Sequence, residues 1–160
     1  MCSAVRLTAH ADSVIRDEAR FSSRTRLETG GILLGHDSNG VIRVTVAGAP
    51  GPKALHSARR FLRDLDFARE LANEAYERDG SVWIGEWHTH PSGPRNPSAF
   101  DLRTYTRHLN DPSLGFGRFL SIIVVTSSLE RAEEDSVSAW IVGPGGMAGA
   151  DLEIEEGSLS

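Results

Sequence analysis

The chain has 160 residues, of which 39% are hydrophobic, the size of one domain with enough apolar content to bury a core without staples. Its net charge is -5, and four acids stand in the last ten residues (Asp151, Glu153, Glu155, Glu156), which leaves the body near neutral and gives no case for nucleic-acid binding. A single cysteine, Cys2, excludes an intramolecular disulfide and a cysteine zinc cage, and the lack of a signal-like segment or long apolar run predicts a cytoplasmic protein with no membrane span.

Val14, Ile15, Ala19 and Phe21, with Asp and Arg between them, predict an amphipathic helix from Ala11 to about Ser23, capped by Asp12 and packed on a sheet. Glu28 follows in Leu27-Glu28-Thr29-Gly30-Gly31-Ile32-Leu33-Leu34-Gly35. Two glycines at the entrance to a short apolar strand let its backbone approach another strand's end closely. On its own Glu28 reads as a solvated carboxylate at a helix–strand junction; beside a metal site it reads as a group that moves protons. Residues 31–36 and 41–47 are strand-like, and Asn39-Gly40 between them signals a hairpin. A breaker-rich loop over 48–53 leads to an extended piece near 59–62. Leu65, Ala68, Leu71, Ala72 and Ala75 then predict a helix from Asp64 to Arg78, ended by Gly80.

Residues 82–90 form a strand on which alternation puts Val82, Ile84, Glu86, His88 and His90 on one side. His88 and His90 can then reach one ion. A His-x-His pair on a strand is also a common packing or surface pair. A loop stiffened by prolines, residues 91–97, follows, and beyond it Asp101 supplies a carboxylate that can return to the two imidazoles. Two nitrogens and one oxygen match the three protein ligands of a catalytic zinc site. Ser98-x-x-Asp101 has another explanation as a helix start. Glu86 sits on the same face, as a partner that holds an imidazole or, the preferred reading, as a solvent-exposed side chain.

A short helix is predicted over 101–109, then a loop over 111–117 with an exposed aromatic, a buried central strand over 119–126 and a last clear strand over 136–142. The order α-β-β-α-β-α-β-β gives a single α/β domain over residues 1–143. Residues 144–160 are Gly-rich and then acidic, and are expected to be a flexible tail in which Leu152 and Ile154 add at most an edge strand.

His88-Thr89-His90, seven residues, Ser98, two residues and Asp101 resembles without gap or substitution the His-x-His-x7-Ser-x2-Asp signature of the JAMM (MPN+, JAB-domain) metallopeptidases. Glu28 and the glycine-bearing strand after it resemble that family's upstream catalytic Glu. The likeness runs from about Asp12 to Gly143. Glu86 departs from the family pattern, which often has an aromatic there. The resemblance implies a JAB/MPN, cytidine-deaminase-like fold, a curved mixed β-sheet flanked by helices. It implies one catalytic Zn2+ held by His88, His90 and Asp101, with Glu28 as base and Ser98 steadying the oxyanion.

The expected reaction is cleavage of a peptide or isopeptide bond after the C-terminal glycine of a ubiquitin-like protein or conjugated target. Small prokaryotic JAB domains of similar sequence are encoded with E1- and E2-like enzymes, some in anti-phage systems, which makes those enzymes candidate partners. Processing of small sulfur-carrier proteins is the alternative within the same chemistry. The same motif also resembles RadC-type proteins, which leaves a DNA-associated or non-catalytic scaffold role as a reading of another class, for which Arg59, Arg60 and Arg63 would be the local basic cluster.

Overall fold

The fold is known from a computed structural model that describes residues 4–127 and 136–157; Cys2 lies outside them. Seven strands close into a barrel: β1 (Ala4–Leu7), β3 (Val41–Ala47), β2 (Gly30–Ser38), β6 (Val82–His90), β7 (Phe119–Val125), β8 (Val137–Gly143) and β9 (Gly146–Ile154), in that spatial order. A separate two-stranded ribbon is made by β4 (Leu55–His56) and β5 (Phe61–Leu62). Among the described residues three helices, α1 (Ala9–Thr25), α2 (Leu65–Asp79) and α3 (Ala99–Asn110), cover the sheet. This is the mixed α/β architecture expected, with the curvature of the sheet carried through to closure.

Sheet and helices meet in separate apolar layers. The inner face of the barrel packs Val5, Leu33, Val44, Trp87, Leu120 and Ile122 against Ala11, Ile15 and Ala19 of α1. The outer face carries α2 over Ile32 and Leu34, and α3 through Tyr105 against Phe119 and Val142. A strand buried on both faces must read as a continuous apolar run. β7 does, apart from Ser121, whose hydroxyl is paired with that of Tyr105: every one of its residues is buried.

The hairpin signal holds, since Asn39 (φ 54°) and Gly40 (φ 78°) both take the left-handed conformations that a two-residue turn between twisted strands requires. α2 starts at the Asp64 cap and stops at Gly80, as the pattern predicts. α1 begins two residues earlier than expected. Its cap is Thr8, whose Oγ1 accepts from the Ala11 amide, while the Asp12 carboxylate is turned to Arg16 at 3.0 Å. The loop aromatic Phe116 is not exposed but packs edge-on to Trp83 and Phe119.

Two other expectations are corrected. Strict alternation along β6 fails at its start because the β2–β6 register shifts, Leu33 lying opposite Gly85 and Leu34 opposite Trp83. The extra residue is Ile84, which enters the inner core with Trp87, whereas Trp83 lies on the outer side under Arg63. The stretch after residue 143 is not a loose tail throughout. Residues 146–150 pair antiparallel with β8 and 151–154 pair parallel with β1, which closes the barrel. Polar side chains there face water, so the composition reads as mobile although the backbone is paired. Among the described residues no helix is long and apolar enough to cross a membrane.

The pairing of β9 predicts that its hydrogen-bonded amides exchange with solvent at rates near those of β8. Exchange of the whole 146–154 segment within seconds, read by mass spectrometry, is the result that contradicts closure.

Candidate metal-binding site

The site is built at the carboxyl end of β6, between an antiparallel neighbour, β2, and a parallel one, β7. The β6–α3–β7 connection leaves a crevice beyond the strand end, the usual place for a site in sheets with parallel strands. Alternation puts His88 and His90 on one face, both 6% exposed, with their Nε2 atoms 3.0 Å apart.

Glu28 reaches them through strand register. Gly30 lies opposite His88, so the position two residues earlier falls beside His90. Thr29 and Thr89 lock that end of the pair: the Thr89 amide donates to the Thr29 carbonyl at 2.9 Å, and the Thr29 amide to the Thr89 hydroxyl at 3.0 Å. A side chain at Gly30 is impossible without displacement, since a Cβ would stand 2.2 Å from the Trp87 carbonyl and 2.9 Å from His88 Cα. The Glu28 carboxylate ends 3.9 Å from His90 Nε2.

Asp101 arrives from α3. Ser98 is the helix cap, and the two residues form a capping box: Ser98 Oγ accepts from the Asp101 amide at 3.0 Å, and the Ser98 amide donates to Asp101 Oδ2 at 2.8 Å. That same Oδ2 lies 3.1 Å from His88 Nε2 and 3.3 Å from His90 Nε2. The helix-start explanation of Ser98-x-x-Asp101 holds, and the cap leaves the Asp101 carboxylate beside both imidazoles.

These spacings fit a metal ion. Bonds of about 2.0–2.1 Å arranged tetrahedrally put ligand atoms about 3.3 Å apart, and the three contacts among His88, His90 and Asp101 run from 3.0 to 3.3 Å. Glu28 also offers an oxygen within 4.8 Å of both histidines. His90 presents its Nε2 lone pair to the centre because its Nδ1–H donates to the Pro94 carbonyl at 2.7 Å.

Electrostatics point the same way. Burial resists a charge on Asp101, yet the two imidazoles beside it and the donating Ser98 amide hold its pKa well below the usual carboxylate range. For His88, burial is the largest influence and opposes the imidazolium, but Asp101, Glu86 and Glu28 together raise its pKa. Glu28 is raised, because burial outweighs the attraction of His88 and His90 and Asp101 repels it. Two carboxylates and two imidazoles converge where water is scarce, a donor set suited to a divalent cation.

Several supports were not visible in the sequence. Glu28 is clamped on both sides of its backbone: its amide donates to the Ser57 carbonyl at 2.8 Å, and His56 Nδ1–H donates to its carbonyl at 2.8 Å. Tyr105, one turn beyond Asp101, is fully buried, with its hydroxyl 2.8 Å from Ser121 Oγ, and seats α3. Glu86 is neither exposed nor bonded to an imidazole in any contact found among the described residues. It pairs with Arg63 at 3.0 Å, both side chains less than one-fifth exposed.

Removing the Ser98 hydroxyl breaks the cap without touching the histidines. Ser98→Ala should lower stability by about 0.5–2 kcal/mol in urea unfolding; an unchanged midpoint would mean that the hydroxyl does not cap α3.

Residues 9–144 match the family described as prokaryotic homologs of the JAB domain. The chain is 31% identical over 84 residues to a CD-NTase/cGAS isopeptidase of Vibrio cholerae, a match covering 51% of this chain and 54% of that one. A protein of the same name from Enterobacter hormaechei is 35% identical over 82 residues, 49% of this chain and 44% of that one. A probable metalloprotease of Sinorhizobium fredii is 29% identical over 119 residues, covering 71% and 70%. This chain thus spans about half the length of the isopeptidases it matches. The solution structure of a Desulfitobacterium hafniense protein superposes with a TM-score of 0.66 at 21% identity, over 95% of this chain and 93% of that one, a likeness of fold. With that match over most of its length, the chain belongs to the prokaryotic JAB-domain family.

Proposed function

We propose that this chain is a zinc-dependent peptidase or isopeptidase, in which His88, His90 and Asp101 hold the ion and Glu28 and Ser98 act on the substrate. The observation that carries this reading is the convergence of Asp101 Oδ2 and the two Nε2 atoms within 3.3 Å, with Glu28 just outside that triangle at 3.9 Å from His90. Relatives named isopeptidase and metalloprotease support the same chemistry.

Bound zinc supplies Lewis acidity, which makes water a nucleophile near neutral pH. The chain's own residues do the rest. Glu28 stands at the distance of a group that contacts the attacking water rather than the ion. Its burial raises its proton affinity, which suits a base that must keep the proton and then return it to the departing amine. Ser98 Oγ accepts the Asp101 amide, so its own hydrogen is free to donate to the carbonyl oxygen as negative charge develops there. A contact of that kind is worth about 2.7–4 kcal/mol in other enzymes.

The bond cut is the amide after the C-terminal glycine of a ubiquitin-like protein or of a conjugated target. The two ligating histidines are 6% exposed and the Asp101 side chain 15%, and a thin Gly-Gly segment brings its carbonyl nearer to them than any bulkier one. A cytoplasmic setting, with E1- and E2-like partners in a conjugation system that includes anti-phage defence, completes this reading.

Glu28→Gln should keep its zinc by metal analysis and lose at least about 100-fold in turnover of a Gly-Gly-linked fusion, whereas His88→Ala should lose both. Turnover by Glu28→Gln at the wild-type rate removes Glu28 as the base; retention of zinc by His88→Ala removes the ligand assignment.

A further inference from the structure

Beside the site runs a cleft of about 570 Å³, walled by the β4–β5 ribbon on one side and by the start of α2 and one face of α3, from Phe100 to His108, on the other. His88, Asp101 and Glu28 lie at one end of it. Its rim is strongly basic in a chain whose net charge is -5: Lys53, Arg59, Arg60 and Arg107 are all exposed on it. Arg63 is spoken for by Glu86, but among the described residues Arg59, Arg60 and Arg107 enter no ion pair. Arg60 instead lies over the ring of Phe100, 4.6 Å from its centre. Between these cations stand apolar side chains with unusually large exposure, Leu55 at 65%, Leu62 at 61%, Leu65 at 58% and Phe100 at 42%.

Two features need explaining together: unpaired guanidinium groups gathered on a molecule of opposite net charge, and large apolar side chains left in water between them. A ligand that satisfies both carries carboxylates alternating with apolar side chains. Resting on the peptidase reading, we infer that the part of the substrate lying in this cleft, next to the scissile amide, is an acidic peptide segment bearing apolar side chains. A basic tail is disfavoured by the same rim. Single-stranded nucleic acid would engage the arginines and stack on Phe100, but Leu55, Leu62 and Leu65 offer nothing to a phosphate backbone, so the leucines favour peptide.

The test uses zinc-loaded protein carrying Glu28→Gln, so that binding is read without cleavage. Fluorescence anisotropy compares a labelled Asp-Leu-Glu-Leu-Gly-Gly peptide, its Lys-Leu-Lys-Leu-Gly-Gly counterpart and an oligothymidylate of similar length. The acidic peptide should bind about tenfold more tightly than the basic one, the scale of a few exposed ion pairs. That preference should shrink between about 0.05 M and 0.5 M salt. Arg59→Glu with Arg107→Glu should abolish or invert it, and Arg107→Glu alone, with an unchanged circular-dichroism spectrum, should weaken it if the double variant does not fold. Equal binding of the two peptides, a basic preference, charge reversals without effect, or tighter binding of the oligonucleotide would each overturn the inference. Cleavage of a Gly-Gly fusion by the wild-type protein is read separately: its absence, with the acidic preference intact, counts against the peptidase reading and not against the chemistry of the cleft.

Discussion

The pairing of β2 with β6 at Gly30 and His88 is the constraint from which the rest of the site follows. A slip of one residue would turn Glu28 to the opposite face of the sheet, because side chains alternate. Crowding forbids the slip from two directions. A Cβ at Gly30 would strike the Trp87 carbonyl, and one at Gly31 would stand 1.9 Å from the Gly48 carbonyl, which already accepts the Trp87 indole N–H at 2.8 Å. Two glycines in succession thus fit β2 into a space with no room for a side chain, and Trp87 anchors the inner side of the strand whose outer side carries the histidines. Bringing a carboxylate beside two buried imidazoles is costly unless something organises the charge. Here the backbone does so, through register.

Asp101 is organised by a different device with the same effect. A carboxylate in the first turn of a helix is stabilised by the free amides there. One oxygen of Asp101 takes the Ser98 amide and also faces both Nε2 atoms, so the rotamer that caps α3 is the rotamer that completes the triangle. Tyr105 on the same side of α3 fixes the helix against β7 by stacking on Phe119 with centres 4.8 Å apart. Strand register sets Glu28, helix capping sets Asp101, and the Pro94 carbonyl sets the His90 ring. Three separate devices thus converge on one point.

Much of this was legible in the chain itself, for local reasons. The Asn39-Gly40 turn, the Asp64 cap, the Gly80 stop and the apolar run of β7 are written in neighbouring residues, and so are the spacings of His88, His90, Ser98 and Asp101. What escaped depends on contacts distant in sequence. Alternation cannot foresee the shift that sends Ile84 inward, because it arises from how β2 meets β6. Glu86 read as solvated because Arg63, its partner, lies far away in sequence, in the connection between β5 and α2. His56 and Ser57 belong to a short ribbon with no pattern of its own, yet they hold the Glu28 backbone. The acidic, Gly-rich composition after residue 143 described the side chains of β9 correctly and its backbone not at all.

That last strand has a consequence for how the chain reaches its folded state. β1 is flanked by β3 on one side and by residues 151–154 on the other. Its second neighbour is therefore supplied only after residues 8–150 have been synthesised. Until then β1 and β8 each present an open edge, and the interior around α1 lacks its final stave. A topology in which early and late segments lie side by side places much of its stabilisation in contacts of large sequence separation, the kind that form slowly. Ribosome-bound chains of this protein would pass through a stage with unpaired strands at both rims, in need of shielding from one another.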